Sequence, residues 1–216
     1  MIKKPFLIKN LGLVYGPDER MAWASHSCLT PTPMLLSEDK IRIYGGFRDS
    51  KGISRIGYVD VCSSNPAKVV GISEEPVLDL GRLGTFDDNG IMPCEVYRDG
   101  KRVLLYYAGF QKVENIKFQA FTGLCESTDG GNSFRRVKET PVMDRSPEGL
   151  FIRTIHSVIF EENKFKIWYV GGSDWVTKDD TQYAKYQIYY TESKDGINFN
   201  KQGTLCLSLN ESKGEY

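Results

Sequence analysis

The sequence predicts an all-β chain organised as a β-propeller, with about three four-stranded units, and three observations carry that reading. An aromatic–glycine strand ending recurs along the chain at nearly constant spacing. Each copy sits in the same order of apolar run, polar turn and aromatic run, which is a hairpin signal. No stretch of ten or more residues shows helical periodicity.

The strand endings are Ile43-Tyr44-Gly45-Gly46, Tyr106-Tyr107-Ala108-Gly109 and Trp168-Tyr169-Val170-Gly171. Aligned on Tyr44, Tyr107 and Tyr169 they lie 63 and 62 residues apart. Charged turns precede them at Ser37-Glu38-Asp39-Lys40, Arg98-Asp99-Gly100-Lys101 and Glu161-Glu162-Asn163-Lys164. Before each turn stands a short apolar run: Met34-Leu35-Leu36, Cys94-Glu95-Val96-Tyr97 and Ser157-Val158-Ile159-Phe160. A third strand follows at Ile56-Gly57-Tyr58-Val59, Gly123-Leu124-Cys125-Glu126 and Ile188-Tyr189-Tyr190-Thr191. In the second and third units it enters a Ser-x-Asp-Gly turn, at Ser127 to Gly130 and Ser193 to Gly196, ahead of Phe134 and Phe199. A fourth, outer strand is expected at Pro76-Val77-Leu78-Asp79, Pro141-Val142-Met143-Asp144 and Gly203-Thr204-Leu205-Cys206.

Four strands every ~65 residues is the period of a propeller blade. The competing reading is a β-sandwich with similar turns. The repeat divides the chain into units of about 26–80, 86–144 and 149–208, with residues 1–25 and 209–216 belonging to neighbouring blades. Propellers close with four to eight blades, so three describe part of a ring.

Composition narrows the function classes. Lys plus Arg and Asp plus Glu both number 28, so no concentrated basic charge marks a general nucleic-acid binder. The basic start at residues 1–9 has too short an apolar run for a signal segment, and nothing approaches the ~18 apolar residues of a membrane span. Five cysteines, Cys28, Cys62, Cys94, Cys125 and Cys206, show no zinc or redox spacing. They read as reduced, mostly buried thiols of a cytoplasmic protein.

With Phe86-Asp87-Asp88-Asn89-Gly90 opening the second unit and Phe47-Arg48-Asp49 closing the first hairpin, the pattern resembles the five-bladed glycosidase-like propellers. These include the arabinanase, invertase and levansucrase families and the mannoside phosphorylases. The likeness is greatest to bacterial members linked to surface-polysaccharide synthesis, and it runs from about Ser25 to the end. It implies five blades, about 325 residues by the blade period, and residues 213–216 resemble the entrance to a further blade. It also implies action on a glycosidic bond, by hydrolysis or transfer, on a carbohydrate or sugar-nucleotide ligand, with no metal or organic cofactor. Self-association or a partner chain would complete the ring. The alternatives are a non-catalytic glycan-binding or assembly module, and a protein-interaction propeller.

Two carboxylates flanking the bond are the minimum for such chemistry. The resemblance implies catalytic acids at the inner-strand entrances. The first entrance, Ser25-His26-Ser27-Cys28, has none, whereas the second has Asp87 and Asp88 and the third has Glu148. Asp88 is expected as acid or base, with Asp49 or Glu148 as partner. Substrate contacts are expected from His26, Arg48, Asp87, Arg153, His156, Asp174 and Trp175. Arginine forks suit paired hydroxyls or carboxylates, and a Trp face suits a sugar ring. Each has a structural alternative: an Asx-turn for Asp87-Asp88, a solvated hairpin exit for Arg48-Asp49, an exposed turn for Glu148, and inter-blade packing for Trp175. His26 and His156, the only two histidines, are expected at equivalent strand entrances, with Cys94 at the same level.

Overall fold

The computed structural model describes residues 8–10, 12–17, 19–200 and 202–215, so most of the basic start and Tyr216 lie outside the described residues. Twelve strands account for the architecture. Unit 1 is one antiparallel sheet: β1 (Ser27–Ser37), β2 (Lys40–Arg48), β3 (Ser54–Cys62) and β4 (Asn65–Ile72), in that order. Unit 2 holds β5 (Ile91–Asp99), β6 (Arg102–Gln111), β7 (Gln119–Ser127) and the short β8 (Arg135–Arg136). Unit 3 holds β9 (Ile152–Glu161), β10 (Lys164–Lys178), β11 (Thr181–Ser193) and β12 (Thr204–Leu207). A short parallel ladder, Ala120 with Ile152 and Phe121 with Arg153, joins unit 3 to unit 2. Among the described residues, units 1 and 2 share no ladder.

The three hairpins and the third strands fall where the repeat predicts them. The outer strands do so only in unit 3. Residues 76–79 and 141–144 make single bridges, Ile56 to Leu78 and Thr122 to Met143, while the ladders use β4 and β8 instead. Proline at 76 and 141 removes a backbone donor and limits pairing there. Residues 211–213 form a 3-10 turn closed by Lys213 N donating to Asn210 O, rather than the start of a strand. All five cysteines are free; Cys125 alone is fully buried, and Cys28 and Cys206 are exposed, so the expectation of mostly buried thiols does not hold.

Strand alternation sends successive side chains to opposite faces. On β6, Val103, Leu105 and Tyr107 pack against Tyr44, Ile56 and Leu78 of unit 1. Leu104 and Tyr106 pack against Ile155, Phe165, Ile167 and Tyr169 of unit 3. Each such fully buried side chain contributes about 1.5–3 kcal/mol of apolar burial. On the far side of unit 1, Phe47, Val59 and Val61 are covered by Val14, Tyr15, Met21 and Trp23.

This packing corrects the repeat by one residue. Tyr44 donates to Gly131 O at 2.9 Å in the next unit's turn, and Tyr106 donates to Gly196 O at the same distance. The equivalent residues are therefore Tyr44, Tyr106 and Trp168, whereas Gly45, Tyr107 and Tyr169 face the preceding side. Bulges confirm the register: β1 is irregular between Leu29 and Thr32, β5 at Cys94, and β9 at His156, each beside the same rung. A one-residue slip exchanges the two faces of a strand.

Candidate functional site

All three inner strands open with one hydrogen bond in common: the N–H of His26, Asn89 and Phe151 donates to the O of Arg48, Phe110 and Gly172. Those residues mark one end of the fold, and they correct the expected equivalence of the histidines. His26 is a strand-entrance residue, its Nδ1 3.0 Å from Ser27 Oγ. His156 lies deeper, on the β9 bulge, its Nε2 3.0 Å from Thr154 Oγ1. His156 lines an apolar cavity of about 450 Å³ with Phe110, Phe118, Val170, Ile188 and Leu207.

The carboxylates divide by role. Asp87 is fully buried between units 1 and 2, where it accepts from Tyr107 at 2.9 Å, Arg136 Nε at 2.7 Å and Thr85 at 2.8 Å. These bonds occupy both oxygens and tie the segment entering β5 to β6 and β8, while Arg136 reaches on to Asp79 O beside unit 1. Glu148 repeats the device at the next junction, accepting from Tyr169 at 2.6 Å, Gly203 N at 3.1 Å and Arg153 at 3.4 Å. Burial and the hydrogen bond to Glu148 raise the Tyr169 hydroxyl to about 12. Glu148 also borders a polar cavity of about 380 Å³ with Asp174, Lys185, Gln187 and Tyr189.

Asp49 closes the β2–β3 hairpin: its Oδ1 accepts from the N–H of Lys51 and Ile53, and its Oδ2 from Arg55 at 3.1 Å. Those donors hold its carboxyl below the ordinary range against a raising effect of burial. Asp88 is less committed. Its Oδ2 accepts from Gly84 N at 2.8 Å, and it stands next to Asn89 at the β5 entrance. The site residues thus separate into two groups, His26, Arg48 and Asp88 at the entrances of units 1 and 2, and Glu148, Arg153 and Asp174 on unit 3.

Trp175 packs at 4.9 Å from Phe151 and 5.6 Å from Phe118, in a cluster that also holds Phe110, Ala120 and Ile152. This cluster plugs the end of the junction between units 2 and 3, the inter-blade alternative weighed for that Trp. At the junction between units 1 and 2, the register-equivalent positions are polar or small. Arg48 pairs with Ser54 on adjacent strands as Phe110 pairs with Ala120. Asn89 and Gly90 take the places of Phe151 and Ile152. Asn89 is a residue that the sequence reading missed, hidden beside two louder carboxylates. Asn-Gly directly before an inner strand was the available signal.

Among the described residues, no group of three or more His, Cys, Asp and Glu side chains is placed to hold a metal. No helix there is long and apolar enough to cross a membrane.

Comparison with known proteins places the architecture. No protein-family profile matches the chain. An uncharacterised protein of Mycobacterium tuberculosis, found in two strains, is 29% identical over 204 residues, covering 94% of this chain and 67% of that protein. Zg3597, a family 117 glycoside hydrolase of the marine bacterium Zobellia galactanivorans, superposes with a TM-score of 0.58 at 19% identity, over 90% of this chain and 51% of its own. A thermostable family-43 glycoside hydrolase superposes with a TM-score of 0.61 at 19% identity, over 91% and 61%. The chain therefore spans between half and two thirds of the proteins it matches. Its fold is that of the glycosidase-like β-propellers.

Proposed function

We propose that the protein is carbohydrate-active, of the glycoside-hydrolase kind, and that a glycan sits at the entrances of β1 and β5. The observation that supports this reading is the polar junction there, with Arg48, Ser54, Asn89 and Gly90 at the positions that aromatics and Ile152 fill in the next junction, and with His26 and Asp88 at the strand entrances beside it. Asp88 is the acid or base, since it has one oxygen without a hydrogen bond from a described residue. Arg48 and His26 orient the sugar. The resemblance to bacterial surface-polysaccharide proteins sets the biological context of this proposal.

A second reading, glycan binding without turnover, draws on a specific observation. Asp49 is tied into its hairpin, and Glu148 is clasped at the other junction. Glycosidic cleavage needs two carboxylates across the bond; Asp49 has both oxygens bonded, and Glu148, which takes its three donors on Oε1, stands at the other junction. A turnover screen against aryl glycosides and nucleotide sugars, with Asp88→Asn as control, separates the readings. Turnover lost in the variant supports the enzyme; saturable binding without turnover in either protein supports the binding module.

A further inference from the structure

Five arginines of the described chain are not exposed: Arg42, Arg48, Arg55, Arg136 and Arg153. Four hold a carboxylate: Arg42 takes Asp60, Arg55 takes Asp49 and Asp79, Arg136 takes Asp87, and Arg153 takes Glu148. Arg48 holds none, and its Nε is buried without an acceptor among the described residues. Asp49, its chain neighbour, is already spent on Arg55. A half-buried guanidinium presents a planar fork of donors and has no neutral form to retreat to. It calls for an anionic acceptor.

A second unmet group lies just before the facing strand, β5. The Oδ1 of Asn89 is buried without a donor among the described residues. Strand alternation puts Arg48 on the same face of β2 as Gly46, and a Cβ at Gly46 would come within 2.8 Å of Met92 on β5. Between them stands Gly90, at φ 146°, where a Cβ would lie 3.3 Å from Ser54 Oγ. The equivalent place in the next junction is filled by Ile152. So this junction keeps a cationic fork, a lone acceptor and a missing side chain, where its counterpart is filled by aromatic and aliphatic side chains with a single unmet group among them, the Trp175 indole N–H.

We propose that the junction between units 1 and 2 binds the acidic group of a sugar. Arg48 takes the oxygens of a carboxylate or phosphate, and Asn89 accepts a neighbouring hydroxyl of the same ligand. The proposal rests on the carbohydrate reading above and specifies its substrate class as an acidic glycan.

Calorimetric titration of the full chain tests it with trigalacturonic acid, its methyl-esterified form and galactose 1-phosphate. An acidic ligand should bind about tenfold or more tightly than the ester, since charge-assisted bonds are the strong ones. The preferred acid, uronate or phosphate, identifies the group. Arg48→Gln should remove the preference, bringing the acid's affinity down to that of the ester measured on the same variant, with the melting temperature in place. Arg48→Lys should restore only part of it, because it keeps the charge and loses the fork. Equal binding of acid and ester, or a preference that survives Arg48→Gln, overturns the acidic-ligand proposal but leaves the carbohydrate reading standing. No binding of any of the three, with a folded protein, overturns both.

Discussion

The two inter-unit junctions share a lower half and differ in their upper half. Below, each is closed by a buried tyrosine reaching the next unit's turn, Tyr44 to Gly131 and Tyr106 to Gly196. Each also has a buried carboxylate taking a tyrosine and an arginine, Asp87 in one and Glu148 in the other. Above, the junction between units 2 and 3 is sealed by Phe110, Phe151, Trp175 and a parallel ladder. The same level between units 1 and 2 holds Arg48, Ser54, Asn89 and Gly90 without a ladder. The difference shows which junction the fold seals with aromatics and which it lines with polar and small residues. Both junctions keep unmet polar groups, Trp175 Nε1 and Arg153 Nε in one and Arg48 Nε and Asn89 Oδ1 in the other; only the second set lacks an aromatic seal.

The comparison is broken most severely at the clasps. Asp87→Asn leaves Arg136 and Tyr107 without their charged partner in a fully buried place, with the Asp87 side chain only 1% exposed. A loss of about 3–5 kcal/mol in chemical denaturation is expected. Glu148→Gln, whose side chain is 8% exposed beside a cavity, should cost less. A larger loss at Glu148 would reverse the order of the two junctions.

The next largest effect is at the upper level. Trp175→Ala opens the aromatic plug and should cost about 2–3 kcal/mol, at or below the lower end for a large aromatic because the ring is half-buried. Arg48→Gln, at the polar counterpart, should stay within about 0.5 kcal/mol in the same assay, because it removes no contact that the fold uses. Equal losses would make Arg48 part of the fabric.

Tyr44→Phe and Tyr106→Phe each remove one hydrogen bond to a buried carbonyl, worth about 1 kcal/mol. As they serve separate junctions, the double variant should show their sum. Strong coupling would mean that the units do not behave as independent neighbours.

The smallest effect concerns acid. Asp129 and Asp195 fix the two Ser-x-Asp-Gly turns with backbone and side-chain donors, which hold both carboxyls below their ordinary range. Their folded pKa lies under the unfolded value, so their contribution is complete above the usual carboxylate range. It is lost as pH falls through the depressed values. The Asp129→Asn, Asp195→Asn double variant should therefore show a shallower fall of stability with acid than the parent.

Much of this fold was legible because hairpins write themselves as alternating runs with turn residues between them. The one-residue error had a definite cause. Two of the three repeats carry adjacent aromatics, Tyr106-Tyr107 and Trp168-Tyr169, and sequence alone does not say which member matches Tyr44. The bulges at Cys94 and His156 that settle the register leave no mark in the residue pattern. The outer strands at 76–79 and 141–144 read as strands because proline-led apolar runs look the same whether paired or merely extended. At the site, the partners that Asp87, Asp49 and Glu148 find in the fold, Arg136, Arg55 and Arg153, are remote or unremarkable in sequence. Arg48 showed the opposite pattern, since its lack of a partner becomes visible only after every other buried arginine has found one.

The central claim is that a glycan occupies the polar junction between units 1 and 2. Hydrogen–deuterium exchange of the full chain, with and without a saturating acidic oligosaccharide, tests it most directly. The account predicts new protection in residues 48–54 and 84–91, with residues 110–120 and 151–152 unchanged. Protection confined to the second junction or to the Glu148–Asp174 cavity would contradict it.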